Sequence, residues 1–143
     1  MAREILFRAK RAYSRGWVEG HLIVFPKSKI TKIMVWNAAD LDFDAIEVIP
    51  ETVGQFTGLT DKNGKRIFEG DIVKVAVTEN RWDSVKKYTG EYVVAYHPKY
   101  CYFYLKRNRN NLLFDGNWSY ALDSIEVIGN IHDNPELLNG TES

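Results

Sequence analysis

Val48 to Val75 reads VIPETVGQFTGLTDKNGKRIFEGDIVKV, and this stretch decides the fold. A short apolar run leads into Asp61-Lys62-Asn63-Gly64, which has the chemistry of a hairpin tip. Two turns suit it. Asn63 and Gly64 can fill the two positive-φ positions of a type I′ turn, which pairs Lys62 with Lys65 and sets Leu59 opposite Phe68. Alternatively, Asp61 opens a type I turn and Gly64 is the left-handed bulge residue. Glu69-Gly70-Asp71 makes a second turn. Ile72 to Val77 then alternates as a strand, with Val73, Val75 and Val77 inward.

Toward the N-terminus the same signals repeat. Ile5 to Lys10 and Trp17 to Phe25 read as strands joined through Tyr13-Ser14-Arg15-Gly16, and Pro26 ends the second because it lacks a ladder amide. A third strand runs from Ile30 to Trp36. Asp40 to Ala45 alternates strictly, so a strand there places three aspartates on one solvated face and Leu41, Phe43 and Ala45 on the other. Asp40, Asp42, Asp44 and Glu51 also match four calcium-loop positions. Ala45, however, stands where that loop needs Gly, and no amphipathic helices flank the segment.

Toward the C-terminus, residues 78–90 are polar and read as a loop anchored by Trp82. Glu91 to Tyr96, Cys101 to Lys106, Leu112 to Phe114, Trp118 to Leu122 and Ile125 to Ile128 read as strands. Asn134-Pro135 opens a single terminal helical turn with Asn134 as N-cap, and residues 139–143 read as a frayed tail. No long segment has a 3.6-residue apolar period. The fold class is therefore mainly β: short antiparallel strands in a sandwich or partly open barrel, with a small SH3-like barrel in the C-terminal part. Residues 1–138 form one domain, divisible into an N-terminal β sub-lobe, 1–50, and the SH3-like part, 51–138.

Composition narrows the function classes. Hydrophobic residues make up 45% and charged residues 27%, which argues for a folded chain over a disordered one. No apolar run approaches the about 20 residues of a membrane helix. The N-terminal residues lack a signal core, and Cys101 is the only cysteine, so a cytoplasmic protein without disulfides is expected. Net charge is zero but unevenly spread. Residues 1–36 hold eight Lys/Arg against Glu4 and Glu19, and residues 115–143 hold six Asp/Glu with no Lys or Arg. The +6 and −6 ends can attract within one molecule or head-to-tail between copies.

The run Val48 to Leu59, then Asp61 to Gly64 and Ile67 to Val73, resembles the core signature of the YopX family of phage and prophage proteins. The opening Arg3 to Ala9 and the closing Val127 to Leu138 resemble that family's first strand and last segment. Residues 76–124 match no motif. The resemblance implies a mostly β fold, an origin in a phage or an integrated prophage, residence in the bacterial host cell, and a homo-oligomer. It implies no activity, since the family brings no catalytic residues to carry over. Gly54, Gly58, Gly64 and Gly70 are explained by turns and close backbone approach.

No catalytic or cofactor set emerges. His97 and Cys101 are four apart, but a zinc site needs three or four ligands, and His21 and His132 lack paired spacing. Cys101 reads as a small strand residue and not as a nucleophile. Glu51, Asp61, Glu69 and Asp71 could in principle support a hydrolase or nuclease. Three of them stand at turns, where carboxylates bond backbone amides. There is no phosphate loop, no G-x-S-x-G and no H-E-x-x-H. No cofactor, metal, membrane or small-molecule substrate is expected.

The functional candidates are basic and aromatic residues interleaved in two segments. Arg81, Trp82, Lys86, Lys87 and Tyr88 form one; Lys99, Tyr100, Tyr102, Tyr104, Lys106, Arg107 and Arg109 form the other. Tyr100, Tyr102 and Tyr104 share a face, with Cys101, Phe103 and Leu105 opposite; one of the two faces must be core. If the tyrosines point outward they form a stacking or docking strip of the kind small β modules use for single-stranded nucleic acid. The reading is a non-enzymatic accessory protein that binds partners and copies of itself; the alternative is a single-stranded nucleic-acid-binding module.

Overall fold

In the computed structural model of the chain, which describes residues 3–80, 82–107, 111–112 and 119–141, the Asp61 tip takes the second of its two expected forms. Gly64 N donates to Asp61 O at 3.0 Å, closing a type I turn, and Gly64 has φ +79°. Asn63 is not among the positive-φ residues, as a type I′ turn would require. Asp61 N then donates to Lys65 O at 2.8 Å, leaving Gly64 as the bulge residue.

The chain divides into two units, residues 1–58 and 59–143. In the first, β1 (Phe7–Lys10), β2 (Trp17–Val24), β3 (Thr31–Asn37) and β4 (Asp42–Glu47) form an antiparallel meander, and β5 (Gly54–Thr60) joins on the other side of β1. Ala9, Val18, Ile33 and Val48 make its core, flanked by Phe7, Leu22, Val35, Ile46 and Val53. Gly20 is required by close approach. A Cβ there would lie 2.2 Å from the Met34 carbonyl oxygen, inside any allowed contact. Between β4 and β5, the turn Pro50–Thr52 is fixed by Thr52, whose hydroxyl accepts Lys10 N at 2.9 Å and donates to Ile49 O at 2.6 Å.

In the second unit, β6 (Arg66–Phe68) returns alongside the end of β5 across the Asp61 tip. A five-stranded antiparallel sheet follows in the order β10-β9-β8-β7-β11, from β7 (Asp71–Asn80), β8 (Val85–His97), β9 (Tyr102–Arg107), β10 (Asn111–Leu112) and β11 (Ile125–Asn130). Among the described residues its edges β10 and β11 do not pair, so the sheet stays open. Ile67, Val73, Val75, Tyr92, Val94, Leu105, Ile125 and Val127 form its core, with Leu59, Phe103 and Leu122 against it. The expected mainly β, antiparallel architecture is what the chain adopts.

Several local expectations give way. Residues 78–90 are not a loop: β7 and β8 continue as a ribbon to Asn80 and from Val85. The sequence there, from Thr78 to Gly90, is mostly polar and lacks the apolar alternation that marks a half-buried strand. Its register places Glu79 opposite Lys86. Trp82, expected to anchor a loop, is 97% exposed beside the ribbon's tip. Ser119–Ser124 is a 3₁₀ turn where a strand from Trp118 was expected, and Trp118 itself lies outside the described residues, as do Leu113 and Phe114. The terminal turn is real but longer than expected, Pro135–Thr141, taking in part of the anticipated frayed tail. Asn134 contributes its backbone carbonyl to Leu137 N at 3.1 Å, while its side chain accepts Asn130 N at 3.3 Å.

Asp61 is the main polar fastening of the second unit. Its Oδ1 accepts Asn63 N and Lys65 N, both at 2.9 Å, and its Oδ2 accepts Val127 N of β11 at 2.9 Å. Lys62 N adds a bond to Ile125 O at 3.0 Å, and Lys62 Nζ reaches Glu126 Oε2 at 3.1 Å. Burial disfavours the charged carboxylate, but the three amides outweigh it and hold the Asp61 pKa below its ordinary value. Because the folded value lies below the unfolded one, this stabilisation is complete above the unfolded pKa of about 3.9 and is lost as pH falls through the folded value. Asp61→Ala strands three amides and should cost on the order of 3 kcal/mol in urea denaturation at neutral pH, with the gap to the parent narrowing in acid.

Candidate aromatic binding site

The candidate site is built by the crossing from β8 to β9. His97 ends β8 and Tyr102 begins β9 opposite it, with Ala95 opposite Tyr104 and Val93 opposite Lys106. The four residues between them, Pro98 to Cys101, form a tight turn. Cys101 takes φ +59° so that its N can donate to His97 O at 2.8 Å. This explains why the strand begins at Tyr102 and not at Cys101. Tyr100 N points back at His97 Nδ1, 3.4 Å away.

Alternation along β9 then decides which face is which. Leu105 is fully buried in the second unit's core and Phe103 packs against it. Tyr102, Tyr104 and Lys106 therefore face away from that core. Tyr100 is 58% exposed, and its ring lies nearly parallel to that of Tyr102, at 13° with centroids 6.2 Å apart. Tyr104 meets Tyr102 edge-on at 6.4 Å. His97 is the hub, with its ring centroid 4.8, 5.5 and 5.4 Å from those of Tyr100, Tyr102 and Tyr104. Lys99 Nζ lies 5.2 Å from the centre of the Tyr100 ring, within cation–π range. Lys106 is exposed on the same face.

The remaining candidates distribute differently. Arg107 belongs to the opposite face: its guanidinium stacks on the core residue Tyr92 at 5.5 Å. Trp82 precedes β8, at the opposite end of that 13-residue strand from His97 and the β9 crossing. Lys86, Lys87 and Tyr88 are placed by backbone in β8, opposite Glu79, Thr78 and Val77. Arg81 and Arg109 lie outside the described residues. The structure thus brings together Lys99, Tyr100, Tyr102, Tyr104 and Lys106, adds His97, and separates Trp82 and Arg107 from them. His97 entered the sequence reading only as a metal ligand. Its partnership with the tyrosines depends on the β8–β9 register, for which Pro98 as a strand breaker was the available signal.

A second aromatic surface was missed. In the first unit Trp36 pairs with Phe43 across β3 and β4, on the side away from Ile33 and Ile46. Their rings meet edge-on at 5.2 Å, and His21 joins Phe43 at 6.3 Å. Trp36 is 53% and Phe43 43% exposed, with Ile23 exposed on the same face of β2. The expectation for Asp40 to Ala45 is corrected here. Leu41 takes φ +53° in the turn, and Asp44 stands on the core side opposite Val35, while Phe43 faces out. As the edge strand, β4 extends past the core, so neither face of Asp42 to Ala45 is covered. Asn37 Nδ2 donates to Asp40 at 3.0 Å and to Asp44 at 3.1 Å, tying these acids into a turn.

Two of the four carboxylates of the central stretch, Asp61 and Asp71, are engaged structurally. Asp61 is held as described, and buried Asp71 accepts Phe68 N at 2.7 Å. Among the described residues, no three His, Cys, Asp or Glu side chains gather as metal ligands would. No helix among them is long and apolar enough to cross a membrane.

The YopX protein family model matches residues 6–139. The chain belongs to the YopX family. Its structure is also similar to the crystal structure of protein EF1440 from Enterococcus faecalis, with TM-score 0.58 and 25% identity, covering 96% of this chain and 99% of that one. None of the curated proteins matches it. The YopX match spans the Asp61 tip, the β8–β9 crossing and most of the closing turn.

The outward setting of the tyrosines has a direct check by chemical denaturation. Tyr100→Ala should change stability by no more than about 0.5 kcal/mol, and Leu105→Ala should cost about 2–5 kcal/mol. Equal losses would mean that the strip is part of the core.

Proposed function

We propose that this YopX-family chain is a non-enzymatic phage or prophage accessory protein that works by binding, inside the bacterial host cell, and that it assembles with copies of itself. The observation that carries this reading is the uncovered aromatic face of the first unit. Trp36, Phe43, His21 and Ile23 form a contiguous apolar surface on β2 to β4. Such surfaces on a folded domain mark contact sites, and aromatic residues are enriched at the centres of interfaces. A second copy is the occupant favoured by charge. The chain is neutral overall but carries +6 over residues 1–36 and −6 over residues 115–143, so a head-to-tail approach of two copies is attractive. Asp42 and Asp44 on the free edge of β4 disfavour strand-to-strand pairing of two such edges, leaving the face as the contact.

The non-enzymatic part is supported by what the acids do. Asp61 gives both of its oxygens to backbone amides and Asp71 gives its Oδ2 to Phe68 N, which are roles in folding. In this reading the second unit, an open SH3-like set of strands, presents the other binding surface. Light scattering on purified protein tests the assembly. The expected result is a mass several times the 16.5 kDa of one chain, falling to one chain in the double variant Trp36→Glu, Phe43→Ser. A strict monomer at micromolar concentration overturns it.

A further inference from the structure

We infer that the outer face of the β8–β9 crossing is a binding site for single-stranded nucleic acid, with bases stacking on Tyr100, Tyr102 and Tyr104 and phosphates lying along Lys99 and Lys106. This rests on the binding reading above but uses a different surface, in the second unit.

Three observations carry it. First, the three tyrosines and His97 form a contiguous aromatic cluster that the core does not use, because Phe103 and Leu105 supply the core from the same strand. Second, successive tyrosine centroids are 6.2 and 6.4 Å apart, close to twice the rise of about 3.4 Å between stacked bases. The nearly parallel Tyr100 and Tyr102 rings are set for base stacking, with Tyr104 turned edge-on beside them. Third, charge is complementary locally although the chain is neutral. Lys99 and Lys106 bracket the tyrosines along the chain, and Lys74 is exposed on β7 toward the same side of the sheet, its neighbour across the ladder being Glu91. A cationic groove with stacking aromatics is the arrangement by which small β modules hold single strands without reading sequence.

A protein partner would use the same tyrosines differently. Aromatic hot spots at protein interfaces are surrounded by a rim that excludes water, whereas here lysines flank the rings along the strand direction, as a phosphate backbone requires. The geometry also separates Arg107 from the site. Its stacking on Tyr92 on the other face makes it a poor phosphate ligand, in contrast to its place in the sequence beside Lys106.

The test is fluorescence anisotropy of the full chain with labelled oligothymidylate and oligouridylate, compared with a duplex of the same length. Single strands should bind more tightly than the duplex, and affinity should fall between about 50 and about 200 mM salt. Tyr102→Ala should weaken binding at least about fivefold. Lys106→Glu, which touches no packing, should weaken it and reduce the salt slope by about one contact. Trp82→Ala should leave it unchanged. Absence of single-strand binding at the lower salt overturns the inference, as does binding indifferent to both Tyr102→Ala and Lys106→Glu. Protection of the strip by a second copy in cross-linking, with no oligonucleotide bound, also overturns it. The light-scattering mass of the Tyr102→Ala variant should match the parent, so this inference can fail while the assembly reading stands.

Discussion

A single carboxylate joins the two halves of the second unit's framework. Asp61 is separated by 66 positions from Val127, yet one of its oxygens closes the hairpin tip and the other holds the first half of β11. Desolvating a carboxylate is expensive, and the structure offsets that with three directed amide donors, two local and one distant. The second turn repeats the device with backbone alone: Gly70 N donates to Val94 O and Gly70 O accepts Ile131 N. The two tips of the central stretch thus grip the closing segment at Val127 and Ile131. This gives a physical reason why the segments that carry the YopX signature lie at both ends of this unit in sequence. They are hydrogen-bonded to each other in the fold.

With that framework in place, β7 and β8 are free to extend. Near Tyr92 and Val94 they cover the core, and beyond it they run on as a paired ribbon. At the opposite end of β8 the chain reverses through a turn so tight that Cys101 adopts a left-handed conformation, and this places His97 within ring contact of three tyrosines. The aromatic strip is therefore a consequence of register. The side of β9 taken by Leu105 is set by the core, and the tyrosines are presented on the other side as a result.

Much of this was legible in the residues. The Asp61 tip, the Glu69–Asp71 turn, the inward Val73 and Val75, and the overall β architecture follow from turn chemistry and period-two alternation. Legibility failed where alternation carries no core signal. The sequence beyond Val77 is mostly polar, and β4 is an edge strand uncovered on both faces, so alternation there did not reveal that Phe43 meets Trp36 edge-on on an exposed surface. The tyrosine strip was half legible: alternation showed that the three rings share a face but could not say which face. Only the burial of Leu105 decides that. Arg107, adjacent in sequence to Lys106, illustrates the same rule, since one step along a strand moves a side chain to the other side of the sheet.

The claim on which the rest depends is that three amides hold Asp61 ionised inside the fold. A carbon-detected NMR titration of the Asp61 carboxyl group in the folded protein measures this directly. The account predicts a midpoint below the ordinary aspartate value of about 3.9, with the Val127 amide shifting at the same pH. A midpoint at or above that value, or a Val127 amide indifferent to the titration, would contradict it.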